Sequence, residues 1–133
     1  MKESILREKS FSFALRTIKL YQHLANEHRE FVLSKQVLRA GTSIGANIEE
    51  SVHAQSKTDF IHKLSIAQKE ACETNYWLRL LRESNFLAPK LAESLLGDCE
   101  EIQRLLAASI KTTKNNLRRS NGGQQVSNFE GYQ

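Results

Sequence analysis

Two acid–histidine pairs have the spacing that metal-binding helical proteins use. Glu50 precedes His53 by three positions, and Asp59 precedes His62 by the same interval. Residues three apart share one face of a helix, and a carboxylate and a histidine at this spacing on two helices form half of a di-iron site. A carboxylate and histidine metal-binding bundle is therefore one functional hypothesis.

The competing interpretation is that both pairs are solvated surface residues, because they flank one short connection between helices. A complete site would also need carboxylates from two further helices, for which the sequence offers Glu27, Glu93, Glu100 and Glu101. Chance matches to such short motifs are frequent. We favour the surface interpretation and predict no metal and no cofactor.

The sequence gives almost no support to catalysis. It contains no glycine-rich phosphate loop, no nucleophile elbow and no cysteine paired with a histidine. Cys72 and Cys99 are isolated, and we predict two reduced cysteines buried on helices. We therefore predict no catalytic residue and no enzymatic activity.

Basic residues suggest contact with nucleic-acid phosphates instead. The formal net charge of +4 and the isoelectric point near 9.2 permit such contact without requiring it. Four cations fall within nine positions near the end of the chain, with no acid between them and Glu130. The alternative is a solvated helix end whose cations complement the helix dipole. The candidate nucleic-acid-binding residues are Arg16, Lys19, Lys35, Arg39, Lys111, Lys114, Arg118 and Arg119.

Apolar residues recur every three or four positions through most of the chain, which predicts four amphipathic helices. The predicted helices cover residues 9–27, 31–54, 57–84 and 89–117. Ser56 has the form of an N-terminal cap with Asp59 three residues on, and Pro89 suits a first helical turn. The expected core face of the first helix contains Phe11, Ala14, Leu15, Ile18, Tyr21, Leu24 and Ala25.

These helices and their short connections predict an all-α, antiparallel, up-down-up-down four-helix bundle over residues 1–118. Residues 119–133 are polar and lack periodicity, so we predict a disordered tail. No apolar run is long enough to span a membrane, and no signal-type segment follows Met1. We expect a cytoplasmic protein.

The stretch LRAGTSIGANIEES, residues 38–51, contains two glycines but keeps the apolar phase of the second helix, which predicts continuous helix. Gly41 and Gly45 lie four apart in a strip of small residues that a neighbouring element can approach closely. That element belongs either to the same bundle or to another subunit. Asn47 is interpreted as structural.

An antiparallel hairpin between the second and third helices also predicts a register. Residues whose numbers add to about 110 lie opposite each other, which places Arg39 against Glu70 or Glu73. A carboxylate facing an arginine forms a forked, charge-assisted bond that fixes this register. The predicted structural or interface residues are Gly41, Ser43, Gly45, Asn47, Glu70, Glu73 and Trp77.

Two motifs resemble a bacterial family of four-helix bundles named for proteins encoded in intervening sequences of 23S rRNA genes. The family pattern Q-x-x-R-[AS]-x-x-S-I-x-x-N-I-x-E matches the second helix, and S-K-x-x-F-x-x-x-L-x-x-A-x-x-E-x-x-E-x-x-x-W-L matches the third. The matching residues are Gln36, Arg39, Ala40, Ser43, Ile44, Asn47, Ile48, Glu50, Ser56, Lys57, Phe60, Leu64, Ala67, Glu70, Glu73, Trp77 and Leu78. The chain departs from the common form SIPSNIAEG, with Gly45 in place of the proline and Ser51 in place of the closing glycine, which indicates a different branch.

The resemblance implies a cyclic homo-oligomer, a pentamer, with no known enzymatic activity. It also implies similarity to the accessory proteins of diversity-generating retroelements, which bind nucleic acid and a reverse transcriptase. We therefore predict a non-enzymatic interaction module whose partners are copies of itself and RNA or a nucleic-acid-processing protein. A protein–protein scaffold and the metal-binding bundle are the alternatives.

Overall fold

Four helices make up the part of the chain that the computed structural model describes, which is the backbone of residues 2–124 and the side chains of residues 5–121. They are α1 (Lys2–His28), α2 (Leu33–Val52), α3 (Lys57–Glu83) and α4 (Pro89–Gln124). No strand occurs between residues 2 and 124. The predicted all-α helical bundle is confirmed.

Ion pairs between neighbouring helices define the order and direction of the bundle. Arg7 of α1 binds Glu49 near the end of α2, and Lys63 near the start of α3 binds Glu50. Lys9 and Arg16 of α1 bind Glu101 and Asp98 of α4, so residue numbers fall in one helix as they rise in its neighbour. Cys99 of α4 contacts Ala71 of α3. Adjacent helices are therefore antiparallel, and α4 returns to pack against α1.

The core face of α1 differs from the prediction. Phe11, Leu15 and Ile18 are 67%, 47% and 38% exposed, whereas Phe13 is fully buried. The buried face of α1 consists of Leu6, Ser10, Phe13, Thr17, Leu20 and Leu24.

Two polar residues on that buried face explain the error. The Ser10 hydroxyl donates to the Arg7 carbonyl at 3.2 Å, and the Thr17 hydroxyl donates to the Ala14 carbonyl at 2.7 Å. These bonds satisfy hydroxyls that would otherwise be costly to bury. Helix α1 therefore has two stripes of apolar residues. Apolar periodicity alone predicts that the stripe without hydroxyls faces the core.

Two helix ends also lie beyond their predicted positions. Helix α1 begins at Lys2 rather than near residue 9, and α4 continues to Gln124 instead of ending near Leu117. Arg118, Arg119 and Gln124 are compatible with a helix although they are polar, and no proline stops it. The predicted boundary at residue 118 lies within α4, and residues 125–133 lie outside the described residues.

One of the two cysteines is not buried. Cys72 is exposed, whereas Cys99 is fully buried and donates to the Ala71 carbonyl at 3.3 Å. Burial, with a smaller contribution from the charge of Glu100, raises the pKa of the Cys99 thiol to about 12. Cys99 therefore stays a thiol at neutral pH, because a buried thiolate would lack solvation.

The N-termini of α2 and α3 are capped in different ways. Ser56 accepts the Asp59 N–H at 3.0 Å, which confirms the predicted cap of α3. At α2 the carboxylate of Glu30 accepts the N–H groups of Val32, Leu33 and Ser34 at 2.8–3.0 Å. Partial burial raises the pKa of Glu30, but these hydrogen bonds outweigh it, so the pKa lies below its usual value. Sequence reasoning missed this cap, because glutamate is not a preferred capping residue.

The stretch LRAGTSIGANIEES is continuous helix within α2, as predicted. A Cβ atom added to Gly41 would lie 2.5 Å from the Thr17 Cγ2 atom, and one added to Gly45 would lie 3.4 Å from the Ser10 carbonyl oxygen. The small residues of α2 therefore face small and hydroxyl-bearing residues of α1. This is close packing within the bundle, and of the two glycines Gly41 leaves the less space for a side chain.

Gly41→Ala is therefore expected to lower the free energy of unfolding by about 1–3 kcal/mol, because the new methyl group overlaps a buried, β-branched threonine. Thr17→Ser removes the overlapping Cγ2 atom and keeps the hydroxyl, so it should partly rescue Gly41→Ala. Gly97→Ala is the control: its Cβ would meet nothing within 4 Å, and it should stabilise by about 0.5–1 kcal/mol. Urea denaturation of the variants measures these differences, and equal stability of Gly41→Ala and Gly97→Ala would refute the close approach.

Candidate interaction surfaces

An apolar stripe lies on the outer face of α1. We call Phe11, Leu15 and Ile18 the α1 stripe, since they recur at the four- and three-residue spacing of one helix face. All three are exposed, and α1 carries four of the nine exposed large hydrophobic residues of the described chain. Several exposed apolar side chains on one helix face are typical of a protein interface.

A groove adjoins the α1 stripe on the side of α2. The α1–α2 groove has a volume of about 520 Å³, and its lining includes the small residues Ala14, Gly45 and Ala46. Phe11 also lines it. At one end Arg7 and Glu49 form an ion pair at 2.7 Å, which neutralises both charges there. The complete lining is Arg7, Ser10, Phe11, Ala14, Thr42, Gly45, Ala46 and Glu49.

The end of α4 forms a second, cationic surface. Helix α4 has 36 residues and is about 54 Å long, whereas α2 has 20 residues and is about 30 Å long. Asn116 lines the same 370 Å³ cavity as Ser56 and Lys57, so it lies level with the connection between α2 and α3. Residues 117–124 therefore extend beyond that connection.

Two predicted phosphate-binding residues, Arg118 and Arg119, lie on this extension, and Lys111 and Lys114 lie just before it. Lys111, Lys114 and Arg118 recur at three- and four-residue spacing and share a face, and Arg119 follows. All four are exposed, and none forms an ion pair with any residue that the structure describes. We call these four residues the α4 cationic end. Sequence reasoning overlooked Arg104, which is exposed and two turns before Lys111 on the same face.

The other four predicted cations do not join that surface. Arg16 binds Asp98 at 2.7 Å. Arg39 binds Glu70 at 3.3 Å and also Glu73, which confirms the predicted register of α2 and α3. Partial desolvation lowers the pKa of Arg39, but the bond to Glu73 and the charge of Glu70 outweigh it and raise the pKa.

Lys19 and Lys35 are exposed but lie elsewhere on the bundle. Lys19 lines a groove between α1 and α4, and Lys35 lies in the first turn of α2, at the opposite end of the bundle from the α4 cationic end. The structure therefore splits the eight candidates into one exposed cluster of four and four separated residues.

The predicted structural residues Ser43, Asn47 and Trp77 lie on α2 and α3. The Asn47 amide donates to the Ser43 carbonyl at 2.9 Å, and the Ser43 hydroxyl donates to the Arg39 carbonyl at 2.7 Å. Trp77 packs half-buried against the core, with its ring edge-to-face to Tyr76 at 5.3 Å between centroids. The polar groups of Asn47 and Ser43 are therefore bonded to carbonyls of α2 itself.

The acid–histidine pairs do not converge on a metal site. Glu50 accepts a hydrogen bond from Lys63 at 2.9 Å, and this bond and the charge of Glu50 raise the pKa of Lys63. His53 and His62 are exposed. No three histidine, cysteine, aspartate or glutamate side chains in the described region lie close enough together to hold a metal ion. This geometry does not support the metal-binding alternative.

Within residues 2–124, each helix is too short or too polar to cross a lipid bilayer. The charged residues are distributed along all four helices.

The sequence model of a family described as 23S rRNA-intervening sequence protein matches residues 2–108. The chain is also similar to a solved protein of unknown function from the S23 ribosomal protein family of Bacteroides thetaiotaomicron VPI-5482. The two sequences are 52% identical, and the alignment covers 84% of this chain and 99% of that one, with a TM-score of 0.83. No curated protein shows significant similarity.

Proposed function

The chain belongs to the 23S rRNA-intervening sequence protein family, and we propose that it is a non-enzymatic interaction module that assembles into a homo-oligomer. The exposed α1 stripe carries this proposal. Burying one large apolar side chain contributes about 1.5–3 kcal/mol, so three such side chains on one helix face favour association strongly. Following the family resemblance, we propose five copies.

The mass of the protein in solution tests this proposal. The wild-type chain should sediment as an oligomer, whereas a variant with Phe11→Ser and Leu15→Ser should sediment as a monomer of about the chain mass of 15.2 kDa. The matched control is Tyr76→Ser, which removes an aromatic residue of 48% exposure from α3 instead. A monomeric wild-type protein, or an oligomer that survives loss of the stripe, would reject the proposal.

A second candidate function is contact with nucleic acid through the α4 cationic end. Its four side chains are exposed and free of ion pairs within the described residues, and the helix extends past the α2–α3 connection. A cationic helix end can neutralise phosphates without reading bases. In an assembly of several copies, the positive electrostatic fields of the α4 ends would add together.

RNA is the partner we propose for this surface, and the alternative is an acidic face of a nucleic-acid-processing protein. Binding to RNA and binding to an acidic protein face differ in their dependence on salt concentration and on polymer length. If wild-type protein at low salt binds neither RNA nor DNA, the module is a protein–protein scaffold.

A further inference from the structure

We infer that the outer face of α4 binds double-stranded RNA across its minor groove. This inference rests on the contact with RNA proposed above and names the form of RNA that the face fits. The face carries Arg104, Lys111, Lys114 and Arg118, which follow one another at intervals of seven, three and four residues. We call these four residues the α4 ridge. From Arg104 to Arg118 the helix rises about 21 Å, at 1.5 Å per residue.

The charges of the α4 ridge are available to a ligand. All four side chains are exposed, and none forms an ion pair with a residue that the structure describes. The sequence between Ile102 and Gln124 contains no aspartate or glutamate. The ridge is therefore a row of cations with no acidic residue of α4 among them, which suits a row of phosphates.

The shape of the α4 ridge favours a shallow groove as its partner. Ile102 and Leu106, on the inner side of α4, are buried in the core, so the bundle supports the helix behind most of the ridge. Only a convex outer face is presented. The major groove of B-form DNA is about 8.5 Å deep, and a helix with neighbours behind it cannot enter that far before those neighbours meet the phosphates. The minor groove of A-form RNA is wide and shallow, and it can accept such a face.

The composition of α4 disfavours single strands. Proteins that hold single strands stack the bases on aromatic side chains within a groove. Helix α4 has no aromatic residue between Pro89 and Gln124. A row of cations fixed on one continuous helix instead matches phosphates that a duplex already holds in place, so the ligand loses little conformational freedom on binding.

Asn115 gives this face a group that can recognise ribose. It lies four residues after Lys111 and three before Arg118, so it shares their side of the helix. Its side chain is exposed and forms no hydrogen bond within the described residues. The amide can donate to or accept from a 2′-hydroxyl, and these hydroxyls line the RNA minor groove and are absent from DNA.

The affinities of the wild-type protein for three ligands at low salt test the inference. The ligands are an RNA duplex longer than the ridge, a DNA duplex of the same sequence, and an unstructured RNA strand with as many phosphates as the RNA duplex. We expect the RNA duplex to bind roughly fivefold tighter or more than either of the others. An RNA duplex that binds no tighter than one of them overturns the inference, while the contact of α4 with nucleic acid stands. If none of the three binds, both proposals fail.

Asn115→Ala tests which side of α4 meets the RNA. It should weaken binding of the RNA duplex about two- to tenfold, as expected for the loss of one hydrogen bond, and leave binding of the DNA duplex unchanged. The matched control is Asn116→Ala, which removes the same amide from the side of α4 that lines the cavity at the α2–α3 connection. This control should bind as the wild type does. Equal losses in the two variants, or no loss in Asn115→Ala, overturn the assignment of this face.

Discussion

Phe13→Ala is expected to lower the free energy of unfolding by about 3–5 kcal/mol, because it empties the volume of a fully buried aromatic ring. Phe13 is 1% exposed and lies in the core cluster. Phe11→Ala, two residues earlier on the same helix, removes the same atoms from the opposite face. At protein concentrations where only monomer is present, it should change stability by no more than about 0.5 kcal/mol.

Urea denaturation of both variants at two protein concentrations measures the difference. The low concentration reports the stability of the single folded chain. There the Phe13→Ala variant should have a much lower free energy of unfolding than the Phe11→Ala variant. At the high concentration Phe11→Ala should also lose stability relative to wild type, because assembly stabilises the folded state by mass action. Equal losses for Phe11→Ala and Phe13→Ala at low concentration would mean that the exposed and buried faces of α1 are wrongly assigned.

This pair of phenylalanines also shows what periodicity can predict. The fold class, the positions of four helices and the continuous helix through Gly41 and Gly45 followed from spacings of three and four, because a buried helix face needs them. These spacings do not predict which side of α1 faces the core. Ser10 and Thr17 are buried there with their hydroxyls bonded to their own helix, and a count of apolar residues scores such positions as exposed.

The register between α2 and α3 was predictable for a different reason. An antiparallel hairpin with a short connection leaves little freedom in which residues face each other, so Arg39 could be assigned to Glu70 and Glu73. No comparable constraint links α1 to α4, whose contact depends on how the whole bundle closes. The sequence therefore does not predict the ion pair of Arg16 with Asp98.

The candidate surfaces were predictable only in part. The cluster of cations from Lys111 to Arg119 is visible in the sequence because it contains no acid, and an exposed helix keeps those charges together. The α1–α2 groove is not visible, because a groove forms only where small residues of two helices meet. Gly45 and Ala46 signalled close approach, but which residues of α1 face them depends on the three-dimensional packing.

Salt should weaken nucleic-acid binding steeply if the α4 cationic end contacts phosphates. Four neutralised phosphates per chain give a log–log slope of about −2.8 on single strands, so affinity should fall about 50-fold between 50 and 200 mM salt. Replacing all four residues by glutamine should bring this slope close to zero, because the helix lacks aromatic side chains that could stack on bases. The measurement is a titration of RNA and DNA oligonucleotides at several salt concentrations.

A control with the same loss of charge separates local contact from the general attraction of a chain whose formal net charge is +4. It replaces four exposed lysines that form no ion pair within the described residues, namely Lys19, Lys35, Lys69 and Lys90. If net charge alone drives binding, both variants should show the same loss of affinity and the same flattening of the salt-dependence slope. If the α4 cationic end is the site, the affinity and slope of the control should stay close to those of the wild type. The variants should also keep the oligomeric mass of the wild-type protein, because none of these residues belongs to the α1 stripe. If the two variants behave identically, the α4 cationic end is not the site, and any binding reflects the overall charge.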